Sequence, residues 1–372
     1  MPRRLLLAIV VIACACLPAA AQNVAPYSFQ QAVRQGVVDF VVNPWLGANA
    51  AHYDALLSAL ASLRPGLVNR LGFEYGGVSV KKLDFASQYA ARIHALLPQA
   101  RIGGGFPENL KDDYAETLPC DSESDLRLFS RPDLTSRSSA TGGRYFWIDI
   151  SLPAAQDYYI CIGKAEIRRG FAHFHFEESN NVAEHSISKH GAIAGYRRIR
   201  EALISYAKAR GLELSFSGEP ELAHAMPLDA VYIPARFYID GFATEYRNRI
   251  PTPVGRGYTY ALSAAIADHC VAQVPRSTRV LFYIDNFDYH QDDLRRMMEL
   301  DSLNRRELIT RSAQTAHDHG VTFVAALNHC DGCVPASFVG DKCEITSSNV
   351  SYYNAATCGD IEAVRRALQI QH

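Results

Sequence analysis

The sequence predicts an α/β protein, a (β/α)8 barrel with long loop insertions. Three observations predict it. Eight short runs rich in β-branched and aromatic residues recur along the chain, and stretches of helical periodicity separate them. Strand and helix alternating in this order build a parallel sheet closed on itself. Several of the runs end in a carboxylate, the end of a buried parallel strand where barrel enzymes keep their chemistry.

The first element is a leader rather than part of the fold. Arg3 and Arg4 precede an apolar run from Leu5 to Cys16, and Ala19-x-Ala21 offers a cleavage site before Gln22. The run is too short to span a bilayer. Val11-Ile-Ala-Cys14 loosely fits a lipobox, which would anchor a lipid at Cys14, but the Ala-x-Ala site is the better match. Residues 1–21 are therefore read as a signal peptide and 22–372 as one barrel domain, secreted or periplasmic.

The predicted strands are 36–43, 66–73, 100–105, 171–177, 212–218, 231–236, 279–285 and 321–328. A ninth run, 145–150, falls in the long third loop. Residues 106–144 of that loop are rich in Asp, Ser and Pro and have no clear core pattern. The helical signal is clearest over 190–210, where Ile193, Tyr196, Ile199, Leu203 and Tyr206 recur at spacings of three or four. Ser151-Leu-Pro153 reads as a helix start, with the serine as cap and the proline in the first turn. The stretch 359–368 reads as the closing helix.

Composition fits one large core: 372 residues, 48% of them hydrophobic. A net charge of -2 and no basic stripe exclude a nucleic-acid partner. Outside the leader the cysteines are Cys120, Cys161, Cys270, Cys330, Cys333, Cys343 and Cys358. An exported chain favours disulfides, and the odd number leaves a thiol free or bonded between chains. For the four cysteines of 330–358, two disulfides fit better than zinc, because Cys343 and Cys358 lack finger or ribbon spacing.

Side chains alternate faces along a strand, so parity sorts the polar residues. His173, His175 and Glu177 share one face of the fourth strand; Phe174 and Phe176 take the other. Ser215, Ser217 and Glu219 oppose Leu214 and Phe216 on the fifth. Tyr283 and Asp285 oppose Phe282 and Ile284 on the seventh. If the apolar faces pack under the helices, Glu177, Glu219 and Asp285 converge at the barrel mouth. These three are the candidate catalytic residues. Candidate substrate contacts are Asp39, Trp45, Arg70, Glu74, His175, Glu178, Arg236, Tyr283 and Asn328, with Glu178 on the outward or loop side. Gly103-Gly-Gly105 opens space rather than cradling phosphate, since no Lys-Ser/Thr follows.

Acids gathered at one mouth suit glycoside chemistry. One carboxyl protonates the leaving oxygen, while another attacks the anomeric carbon or activates water. Gly170-Phe-Ala-His-Phe-His-Phe-Glu-Glu178 resembles the "G-F-D-G-I-H-F-D-E" strand of barrel glycoside hydrolases and their uncharacterised hydrolase-like relatives. Tyr145-Phe-Trp-Ile-Asp-Ile-Ser-Leu-Pro153 resembles the "W-x-x-D-x-S-x-P" run that often precedes it there. The fourth-strand acid of that family falls on Glu177; Ala172, His173 and Glu177 differ from the Asp, Gly and Asp of the pattern. An α-amylase-like resemblance implies Glu177 as nucleophile, Glu219 as acid and Asp285 as supporting acid. The other large barrel group implies Glu177 or Glu178 as acid and Asp285 as nucleophile. The first is preferred, because Gly218-Glu219 closes the fifth strand with the right parity.

The expected activity is therefore cleavage of a poly- or oligosaccharide, with no cofactor and no metal. A glycan-binding barrel without catalysis is the alternative. A metal-dependent barrel hydrolase using His173 and His175 ranks behind both, since such a pair belongs at the end of strand one in those enzymes.

Overall fold

Eight parallel strands close into a barrel in the computed structural model, which describes residues 26–42, 50–72, 76–138, 144–234, 249–251, 258–260, 262, 264–284, 297, 300–330, 352–356 and 358–371. The strands are β1 (Val37–Phe40), β2 (Leu67–Asn69), β3 (Arg101–Phe106), β4 (His173–Phe176), β5 (Ser215–Gly218), β6 (Ala230–Pro234), β7 (Arg279–Tyr283) and β8 (Thr322–Cys330). Neighbours pair in chain order, and β8 pairs with β1 to complete the ring. All eight predicted strands are present. Around them stand α1 (Phe29–Arg34), α2 (Ala50–Leu63), α3 (Val80–Leu96), α4 (Pro153–Arg168), α5 (Ser179–His185), α6 (Lys189–Lys208), α7 (Pro220–Ala225), α8 (Ala264–Ala272), α9 (Ser302–Asp318) and α10 (Ile361–Ile370). Helices α6 and α10 stand where the periodicity predicts them. Among the described residues no helix is long and apolar enough to cross a membrane.

The two-residue period of the strands divides the core into two bodies. Val37, Leu67, Tyr232, Leu281, Tyr283 and Val324 fill the inside of the ring. Val38, Val68, Phe174, Phe176, Phe216 and Phe282 face outward beneath the helices. Parity thus sorts these residues as the sequence predicts.

Helix α1, which the sequence reading passes over, plugs the floor of the barrel. Ser28 and Gln31 form a reciprocal capping box at its start. Phe29 stacks on His173 with ring centres 5.3 Å apart. The buried Arg101 guanidinium staples this floor, donating to the carbonyls of Tyr27, Ala172 and Glu213.

The long third loop is not structureless. Asn109–Lys111, Thr135–Ser138 and Tyr145–Ile148 form a small antiparallel sheet, and Ala115–Pro119 pairs with Leu126–Ser130 as a hairpin. Its core is sparse and non-local, which hides it from periodicity. Leu118, Phe129 and Leu134 are buried, and Phe129 lies 5.3 Å from the Tyr158 ring of α4. A disulfide between Cys120 and Cys161 ties the hairpin to α4. Cys358 is disulfide-bonded as well, and Cys270 is a buried free thiol. Cys333 and Cys343 lie outside the described residues, as does the Cys330 side chain.

The start of α4 corrects one expectation. Pro153 does open the helix, but Leu152 is the cap residue and no side chain caps it. Ser151 instead donates its hydroxyl to Asp149, whose carboxylate also accepts the Ser151 and Ile187 amides. Further along α4, the buried Glu166 carboxyl packs on the outside of the barrel wall. A Cβ at Gly104 would lie 2.5 Å from its Oε2, so any side chain there would have to displace that carboxyl. Burial pushes the Glu166 carboxyl well above the usual carboxylate range.

Candidate active site at the barrel mouth

Strand registers bring the polar faces of β1, β2, β4 and β5 together at the carboxyl end. His173 pairs with Ser215 and His175 with Ser217 across β4 and β5, so Glu177 and Glu219 leave adjacent strand ends. Gly103 and Gly105 stand beside the two histidines on β3. A Cβ at Gly103 would meet Asn69 Oδ1 at 2.3 Å and His173 Cδ2 at 3.2 Å. The glycine run therefore makes room for interior polar groups, in keeping with the sequence expectation.

Arg70 is the hub of this interior. Its guanidinium donates to Asp39 Oδ2 at 2.9 Å and to Glu177 Oε1 at 3.3 Å, and its carbon sits 4.9 Å from the Tyr283 ring centre. All three ionised groups are at least 95% buried: Arg70 1%, Asp39 2% and Glu177 5% exposed. Asn69 adds a hydrogen bond to Asp39 Oδ1 at 3.4 Å. Arg70 holds a left-handed backbone, φ 55°, and so does Glu178, φ 40°. A non-glycine residue there carries strain, and such strain gathers where a side chain must be aimed.

The acids divide sharply in environment. Glu177 touches Arg70 on one oxygen and approaches His175 Nε2 at 3.0 Å with the other. A guanidinium and an imidazole N–H favour its charged form. Glu219 is equally buried, and among the described residues no cation of this kind faces it. Its Oε2 accepts the Asn180 amide at 2.5 Å, and its own amide donates to Ser179 Oγ at 3.2 Å. Burial raises its pKa from the ordinary 4.5 to about 8, the Asn180 bond opposes this, and the Glu177 charge adds to it.

The remaining candidates separate. His175 packs against Tyr232 at 4.4 Å with the rings tilted by 51°, and Tyr232 meets Tyr283 at 5.3 Å inside the ring. Glu178 is the residue before α5; its carboxylate accepts Asn181 Nδ2 at 2.8 Å, on the loop side as parity predicts. Asn328 is fully buried and donates to the Val41 carbonyl, tying β8 to β1. Asp285, Trp45, Glu74 and Arg236 lie outside the described residues. His173 has both ring nitrogens hydrogen-bonded to serines, and His224 is exposed on α7, so this pair does not converge with His224. Glu221, in the first turn of α7, is exposed and pairs with Lys189.

Two groups escape a reading by strand ends. Glu108, just past β3, is buried beside Asn109, whose amide donates to it at 3.2 Å. Tyr196 of α6 is fully buried, and burial, then the charges of Glu219 and Glu108, push its hydroxyl well above the ordinary range. Tyr196 is visible in the sequence only as a helix-core residue. A separate cavity of about 340 Å³ lies by the Cys120–Cys161 bridge. Charges already paired line it, Lys164 with Asp121 and Arg198 with Asp157, and it lies apart from the carboxyls.

No family model and no curated protein matches the chain. Solved structures do align with it. The glycoside hydrolase domain of PelA from Pseudomonas aeruginosa is 9% identical over 78% of this chain and 93% of that one, with a TM-score of 0.39. The cyclic maltosyl-maltose hydrolase of Arthrobacter globiformis, in complex with maltose, is 11% identical over 94% and 78%, TM-score 0.48. A family 5 xyloglucanase from Paenibacillus pabuli is 9% identical over 91% and 99%, TM-score 0.45. All three are glycoside hydrolases. The barrel assignment here rests on the strand pairing rather than on these alignments.

Proposed function

We propose that the barrel mouth hydrolyses glycosidic bonds of a poly- or oligosaccharide. The observation that carries this reading is the contrast between two neighbouring buried acids. Glu177 is flanked by Arg70 and His175, while Glu219 is raised to about 8 by burial. Glycoside cleavage needs this division: one acid to protonate the leaving oxygen and one carboxylate to act at the anomeric carbon or on water. Glu219 takes the acid role and Glu177 the carboxylate role, with Asp285 as the supporting acid after β7. This supports the α-amylase-like assignment of roles over its alternative.

Arg70, Asp39 and His175 hold Glu177 from below. Trp45, Glu74, Glu178, Arg236 and Tyr283 are proposed to contact the sugar, and Asn328 to support the mouth from beneath. The leader-like residues 1–21 and the Cys120–Cys161 disulfide together support an exported protein.

The test uses glycan and aryl-glycoside panels. Glu177→Gln should abolish turnover of every substrate. Glu219→Gln should spare substrates whose leaving group needs no proton, because only protonation is lost. Wild-type activity in Glu177→Gln overturns the assignment. Binding without product release by the native protein overturns the enzymatic reading.

A further inference from the structure

Beneath Glu177 the barrel interior holds a line of polar side chains. Ser215 Oγ lies 2.9 Å from His173 Nδ1, and His173 Nε2 lies 2.9 Å from Ser217 Oγ. Ser217 Oγ lies 2.9 Å from His175 Nδ1. His175 Nε2 then stands 3.0 Å from Glu177 Oε2, its N–H bent off the straight line to that oxygen. Every member is buried.

With both rings neutral, counting protons fixes the direction of the line. A bare ring nitrogen facing a carboxylate oxygen would be repelled, so His175 Nε2 carries hydrogen. In a neutral imidazole the other nitrogen is then an acceptor, and the Ser217 hydroxyl supplies it. Ser217 has given its one hydrogen, so its oxygen accepts from His173 Nε2–H. His173 Nδ1 is left as an acceptor for the Ser215 hydroxyl. Every donor therefore points toward Glu177. The reversed order needs one more proton on His175 and turns the Ser215 hydroxyl to the Ala172 carbonyl, 3.5 Å away.

The surroundings hold His173 itself neutral. His173 is walled by the Phe29 ring, and burial, then His175 and Arg101, hold its imidazole well below the usual range. Among the described residues, Asp39 of β1, Arg70 after β2, Glu219 after β5 and Tyr232 of β6 are titratable groups around Glu177. Tyr283 of β7 reaches it through Arg70. None of these interrupts the line.

We propose that Ser215, His173, Ser217 and His175 form one polarised chain, in which His173 is a positioning residue whose Nε2–H tautomer keeps Glu177 ionised. The catalytic consequence rests on the role of Glu177 given above; the tautomers do not.

Histidine-selective 15N labelling of the full chain reads each ring nitrogen, with His173→Gln and His175→Gln assigning the signals. His173 should be a neutral Nε2–H tautomer across about pH 5.5 to 8, and His175 should carry its hydrogen on Nε2 with Nδ1 bare. An Nδ1–H tautomer at either ring, or a charged His173, overturns the proposal. Ser217→Ala cuts the line while sparing both imidazoles and the carboxylate. It should move the acidic limb of kcat/KM upward by about half a pH unit, because aligned donors strengthen one another by roughly 10–30% per bond. An unmoved limb with a uniform loss of rate overturns the positioning role. If the native protein cleaves no glycan, the hydrolase reading fails, and the 15N tautomers alone still support or overturn the chain.

Discussion

Glu219→Gln should make the protein more stable while removing the proton it is proposed to donate, and the gain should grow with pH. The folded carboxyl has a pKa of about 8 against the ordinary 4.5, chiefly through burial. Below the lower value the group is protonated in both folded and unfolded chains and shifts nothing. As pH rises, only the unfolded chain loses the proton, so the folded state loses relative stability until the folded carboxyl ionises as well. At about 1.4 kcal/mol per unit, the loss is roughly 3 kcal/mol at pH 7 and levels near roughly 5 kcal/mol above pH 8. Glutamine has no proton to lose and keeps an oxygen for the Asn180 amide. Urea unfolding of both proteins at about pH 4.5, 7 and 9 measures the difference directly. The curves should nearly coincide at the lowest pH and part as pH rises. Parallel curves would refute the claim that Glu219 is held protonated. The basic limb of native activity should fall near the same pKa, about 8.

Three further perturbations probe the framework. Glu166→Gln removes a second buried, proton-holding carboxyl, so it should stabilise increasingly above the ordinary carboxylate range and leave turnover unchanged; melts at about pH 5 and 8 check this. Arg70→Met leaves Asp39 and Glu177 buried together without their shared cation and should cost roughly 3–5 kcal/mol. Arg70→Lys should recover only part of this in urea unfolding, because one ammonium cannot fork to both acids. Cys161→Ala opens a link of sequence separation 41 and should lower stability by about 4 kcal/mol on the chain-entropy estimate, with the mouth unaffected; thermal unfolding with and without reductant measures it.

The strands were legible because their information is local. Phe174 and Phe176 against His173 and His175 state both the period and the buried face, and the registers with Ser215 and Ser217 bear it out. What sequence alone withheld is contact over distance. Arg70 joins Glu177 across 107 positions and Asp39 across 31, and no periodicity encodes that meeting. The high pKa of Glu219 comes from the surrounding burial rather than from its neighbours in the chain. The third loop was opaque because its short strands bury only a few residues each. Helix α1 carried a readable signal, Ser28 three residues before Gln31, that its shortness concealed. Cys120 and Cys161 could be read as disulfide candidates, but not as partners.

The plugged floor also orients the molecule. Tyr27 and α1 sit at the amino ends of the strands, bonded to Gln99, Arg101 and Arg279. At the other described end, Leu368 packs over Gly36 and Gln371 donates to the Phe323 carbonyl at the start of β8. Both described ends therefore leave by the face opposite the carboxyls. A bead or a solid support coupled beside Tyr27 or Gln371 would leave the mouth facing outward. Held that way, the barrel could meet a polymer too large to diffuse to it.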